Sequence, residues 1–180
     1  GVLFLAVITA LGGGVIRDVL LGWFPPRMFT SYAYVAIAVA SALLVFLDAC
    51  IRRERYRQNR DKLDSVVNVF DALGLGVFTV SGVQMAIDQY GMGNPFLLVL
   101  MGMTTGVGGG MLRDVLIDAM PKVLRKRIYA VASIVGAIGY YLLLRFGVDQ
   151  TLSTIIITVL ITALRILATV FKWNMPQAKL

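Results

Sequence analysis

The sequence predicts an all-α integral membrane protein: an inverted 3+3 transmembrane helix repeat plus a seventh helix, with the first helix absent from the given chain. Six long apolar runs, an alternation of charge between the segments joining them, and one motif that occurs twice carry this expectation.

Hydrophobic residues make up 58% of the chain and charged residues 15%, whereas a soluble domain holds about a quarter charged residues. The mean hydropathy is +0.81. The excess apolar surface must therefore face something other than water. The apolar runs are Val2–Leu21, Tyr32–Ile51, Val66–Ile87, Phe96–Ile117, Ile128–Leu144 and Leu152–Phe171. A hydrocarbon core about 30 Å thick takes about 20 helical residues to cross. Helices alone satisfy their backbone within such contiguous runs, and the runs are too long for strands.

The joining segments sort by charge. Arg52, Arg53, Arg55, Arg57, Arg60 and Lys62 follow the second run, Lys122, Arg125, Lys126 and Arg127 the fourth, and Lys172 and Lys179 the last. The opposite side holds only Arg27 and Arg145. The rule that basic loops stay inside makes the basic side cytoplasmic, which predicts a multi-pass protein of the cell (inner) membrane with its C-terminus in the cytoplasm. The cluster Arg52–Lys62 also suits anionic lipid headgroups, beside its simpler role in fixing topology. The +7 net charge is spent on these loops, and nucleic acid is not an expected partner.

Thr9–Leu20 realigns with Thr105–Leu116 at an offset of 96, with eight of twelve positions identical, and Pro25 falls on Pro121. The second copy has a span before its motif, Val66–Ile87, whose counterpart at the same offset would precede Gly1. The organisation expected is a first repeat over 1–51 lacking its first helix, a basic cytoplasmic loop over 52–64, a second repeat over 65–146, and a seventh helix with a tail over 147–180. An odd number of spans per copy inverts one copy relative to the other. Such repeats place ion or substrate sites near the midplane at their interface.

Each copy of the motif carries three consecutive glycines, Gly12–Gly14 and Gly108–Gly110. Glycine costs about 1 kcal/mol of helix propensity relative to alanine, so two such triplets inside spans call for a reason. Either they let helices approach closely, or they kink the helices and free carbonyls to line a wet path. Arg17-Asp18 and Arg113-Asp114 follow about one turn later, and ionisable groups at that depth face protein or water. Adjacent side chains on a helix diverge, so each Arg and Asp is expected to pair with another helix and to stand at an entrance to the path. Arg165, inside the last span, needs a partner or water, and Asp71 and Arg165 are candidate gating or pairing groups. Gly74, Gly76 and Gly82 give their helix a smooth face suited to tight packing.

The chain has no histidine and one cysteine, Cys50, which removes histidine-based nucleophilic schemes, disulfides and the commonest metal sites; no enzymatic role and no metal site are expected. Neither glycine run continues into Gly-Lys-Ser/Thr, so a phosphate loop is not expected.

With the doubled G-G-G-x-x-R-D-V-L, the stretch Asp71–Gly82, and Ala163–Ala168 with Trp173, the chain resembles prokaryotic trimeric intracellular cation (TRIC) channels, in the bacterial branch also named for a glycine transporter domain. The resemblance covers essentially the whole chain. It implies a homotrimer in which each protomer has its own pore, lined by two glycine-kinked helices that correspond to Val2–Leu21 and Phe96–Ile117. It implies permeant monovalent cations, potassium foremost, and no cofactor. The branch name keeps transport of glycine or another small amino acid as the alternative.

Overall fold

The computed structural model describes residues 1–51, 60–125 and 128–171. These form eight helices: α1 (Val2–Leu20), α2 (Arg27–Thr30), α3 (Tyr32–Ile51), α4 (Arg60–Tyr90), α5 (Pro95–Leu116), α6 (Lys122–Arg125), α7 (Ile128–Arg145) and α8 (Gln150–Val170). Five are long and apolar enough to span a membrane, and α7 is a shorter apolar helix. The headgroup reading of Arg52–Lys62 falls on residues and side chains outside those described, as do Lys126, Arg127, Lys172 and Lys179.

The apolar runs mark where the lipid boundary falls rather than where helices end. Thus α4 starts at Arg60, six residues before its apolar run and inside the segment expected to be loop. Arg60, Lys62 and Leu63 are good helix formers that prolong a helix readily once its apolar part is anchored. At the other terminus, Asn94 accepts the Leu97 N–H at 3.1 Å with Pro95 at the first helical position, which fixes the start of α5. Asp149 caps α8 in the same way, accepting from Leu152 N at 3.0 Å.

The middle of the bundle is α5, packed against α1, α4 and α7, with α8 closing over α4 and α7. Leu75, Val83, Ala86, Leu98, Met101, Tyr140, Ile157 and Ile161 fill the core on this side. Small residues set the spacing. Side chains on Gly82, Gly102 or Gly106 would collide across the α4–α5 contact, and one on Gly76 would press on Thr158 of α8. Buried hydroxyls close the gaps, with Thr79 and Ser133 hydrogen bonded at 2.7 Å. By contrast, α3 touches only α1 and α2 among the described residues, and none of its side chains is buried.

The repeat is visible in backbone detail. After α1, the N–H groups of Leu21, Gly22 and Trp23 bond the carbonyls of Arg17, Val19 and Asp18; after α5, those of Ile117, Asp118 and Ala119 bond Arg113, Val115 and Asp114. Both turns reach positive φ at the same place, +76° at Gly22 and 53° at Asp118. The second is a conformation that glycine takes freely and aspartate tolerates.

Candidate functional site

The two motif helices cross antiparallel at their glycines. A Cβ on Gly13 would collide with the Thr105 carbonyl, and one on Gly109 would collide with the Thr9 carbonyl. The flanking positions repeat the relation, with Gly12 against Leu112 and Gly108 against Ile16. Every one of these contacts maps onto its partner at the offset of 96, so the crossing is a pseudo-two-fold point between inverted copies. Both helices remain helical through their triplets. The first service of the glycines is thus close approach, and Gly12 and Gly108 are spent on it.

Two cavities flank the crossing. The larger, about 540 Å³, is lined by Thr9, Gly13, Gly14, Gly109, Gly110 and Thr105, with Asp71, Arg113 and Tyr129 among its polar walls. The smaller, about 140 Å³, has Arg17, Asp18, Arg27, Tyr34 and Ser81. Ala10, Gly14, Phe78 and Thr105 line both, so the two cavities adjoin at these four residues. Along this lining, Thr105 Oγ1 donates to Met101 O at 2.6 Å, and its repeat mate Thr9 Oγ1 donates to Leu5 O at 2.6 Å. With the hydroxyl protons engaged on their own helices, what remains to the threonines is oxygen lone pairs, the ligand type that suits a cation.

The arginines of the charged pairs depart from expectation. Arg17 does not reach another helix. Its Nε and Nη2 both donate to Oδ1 of adjacent Asp18, at 2.9 and 2.6 Å, and Arg113 does the same to Asp114 at 2.9 and 2.7 Å. The long arginine side chain bends back along the helix, so divergence of neighbouring Cβ atoms does not prevent pairing. The second Asp18 oxygen accepts the backbone N–H of Arg27 at 2.9 Å, which ties the end of α1 to the start of α2. Burial distinguishes the copies: the side chains of Arg17 and Arg113 are 7% and 24% exposed. Asp71 and Arg165 do find each other, with Nη2 donating to Oδ2 at 3.2 Å.

The family model described as "Glycine transporter" matches residues 1–49 and 68–145, which includes both motif copies and both walls of the crossing. A structure concerning conductance through TRIC cation channels superposes with TM-score 0.84 and 32% identity, covering 99% of this chain and 83% of that one. The chain belongs to the TRIC family, in its glycine-transporter branch. The TRIC orthologue from Rhodobacter sphaeroides is similarly close, with TM-score 0.79, 31% identity, and coverage of 92% of this chain and 80% of that one. Among curated relatives, the UPF0126 inner membrane protein YadS of Escherichia coli is 39% identical over 138 residues. That match takes in 77% of this chain but 62% of the relative, so the chain spans under two thirds of that protein's length.

Within this TRIC chain the motif residues are thus divided. Gly13, Gly14, Gly109, Gly110, Arg17, Asp18 and Arg113 meet a cavity; Gly12 and Gly108 face only the opposite helix, whose backbone Gly13 and Gly109 also meet; Asp114 stands behind Arg113. Sequence reasoning missed Thr9 and Thr105 as lining groups, although they open both copies of the motif. It also missed Phe78 and Tyr129. Nothing singles out Tyr129 in sequence, since its repeat position is Ala33 and it reaches the site only through the packing of α7.

Proposed function

We propose that the protein is a passive channel for monovalent cations, potassium foremost, with a path inside each protomer of a homotrimer in the cell membrane and its C-terminus in the cytoplasm. The observation that carries this reading is the pair of cavities on either side of the α1–α5 crossing, which adjoin at Ala10, Gly14, Phe78 and Thr105. The names of the solved neighbours, TRIC cation channels and a trimeric orthologue, support it. The threonine oxygens beside the crossing offer favourable ligands, while each arginine carries its own carboxylate and so presents a reduced barrier. Conduction of this kind calls for no catalytic group and no cofactor. The basic stretch Arg52–Lys62 fits a contact with anionic headgroups on the cytoplasmic face.

A carrier for glycine is the second reading. The larger cavity holds both a cation, Arg113, and a carboxylate, Asp71, which are the groups a zwitterion requires. Both are already engaged by protein partners, Asp114 and Arg165, which weighs for the channel. Full-length protein in planar bilayers should give unitary currents in potassium chloride. Saturable glycine uptake into vesicles without such currents would overturn the channel reading.

Arg113→Ala should raise potassium conductance several-fold in a folded oligomer. A unit charge 4 Å from the path costs a cation about 4 kcal/mol at an effective dielectric of 20, and Asp114 cancels most of that. Unchanged currents would count against a path past Arg113. A variant that fails to assemble would assign the residue to packing.

A further inference from the structure

The helix outside the repeat sets one charged group behind the wall of one cavity, and its placement is unusual. Arg165 of α8 is 4% exposed and is not part of the cavity wall. It reaches the wall from behind. Its guanidinium donates to Asp71 Oδ2 at 3.2 Å and lies 4.4 Å over the Tyr129 ring. The other oxygen of Asp71 accepts the Tyr129 hydroxyl at 3.3 Å. Both carboxylate oxygens are thereby drawn towards α7 and α8, and the buried Nε of Arg165 has no partner.

The competing cation is close by. A Cβ built on Gly110 would lie 3.6 Å from the Tyr129 hydroxyl and 3.9 Å from Arg113 Nη2, so both polar ends border the same point of the larger cavity. A carboxylate released from Arg165 would meet Arg113 next, across the space that a permeating ion must cross. Low surrounding polarity makes an unpaired carboxylate costly, which drives that encounter. The neighbours of Asp71 are thus Arg165 from α8, Tyr129 from α7 and, across the cavity, Arg113 from α5.

We infer that Arg165 is a positioning residue that holds the Asp71 carboxylate against the wall of the larger cavity and so keeps it from bridging to Arg113 and closing the path. This rests on the channel reading. It assigns to α8, which has no counterpart within the repeat, a control over one cavity only. The buried, half-satisfied guanidinium is the cost of reaching Asp71 from outside the wall.

The test is an epistasis experiment on full-length protein in planar bilayers under a potassium chloride gradient, reading conductance, open probability and reversal potential. Arg165→Gln should cut potassium current by about tenfold, within the range of ordinary two-site couplings. Adding Asp71→Asn should recover current several-fold over Arg165→Gln, because a neutral amide has no pull on Arg113. Arg165→Lys, which keeps the charge, should retain more current than Arg165→Gln. A purely structural role for Arg165 would give no recovery in the double variant. That outcome, or wild-type current in Arg165→Gln, overturns the inference. If Arg165→Gln does not assemble, the double variant decides: it lacks both buried charges, and an assembled double variant below a tenth of wild-type current also overturns it. Absence of current in the wild-type protein would instead remove the channel reading itself.

Discussion

Leucine at Gly109 should leave no folded protein to recover, whereas alanine at Gly110, one residue later, should leave folding intact and alter conduction. At Gly109 a Cβ already runs into the Thr9 carbonyl, and the repeat sets Gly13 against the Thr105 carbonyl in the same way. The obstacle in both cases is main chain, which has no rotamer by which to yield. Overpacking against flexible side chains costs about 1–3 kcal/mol, and a clash that forces two helix axes apart exceeds that. At Gly110 the neighbours are the Tyr129 hydroxyl and the Arg113 guanidinium, at ordinary contact distances and bordering open space. Size-exclusion profiles and thermal aggregation midpoints in detergent measure the first effect, and bilayer currents the second. A Gly109→Leu protein with wild-type stability would refute the crossing as described.

Removing the Asp18 carboxylate should be the most damaging single loss of charge in the chain. Asp18 is 2% exposed and accepts two hydrogen bonds from Arg17 and one from the Arg27 backbone. Asp18→Ala strands a buried guanidinium, a change worth about 3–5 kcal/mol when one partner of a buried pair is lost. It also releases the start of α2. The equivalent change at Asp114 should cost less, because the Arg113 side chain is 24% exposed and opens on a wide cavity where water can solvate it. The double change Arg17→Met with Asp18→Leu should recover much of the stability, since no unpaired charge remains. Thermal midpoints of the three variants rank these costs. Equal losses at Asp18 and Asp114 would show that the difference in burial carries no energetic weight.

The sequence by itself determined the number and class of most elements, because a lipid-spanning helix must be continuously apolar and about 20 residues long. It also determined the inverted relation of the two copies, since the offset of 96 and an odd number of spans leave no other arrangement. It named the glycines, the two Arg-Asp pairs, Asp71 and Arg165 as the groups that needed explanation. It did not determine what they touch. Arg17 bends back onto Asp18 through torsions that helical periodicity does not describe, and Asp71 and Arg165 meet only because α8 packs over α4. Which glycine faces a helix and which faces a cavity was decided by the rotation of α1 against α5. That angle depends on the shape of both surfaces at once, and no single segment encodes it. Tyr129 shows the limit most plainly: it is unremarked in the chain, unmatched in the repeat, and brought between a carboxylate and two arginines by tertiary packing alone.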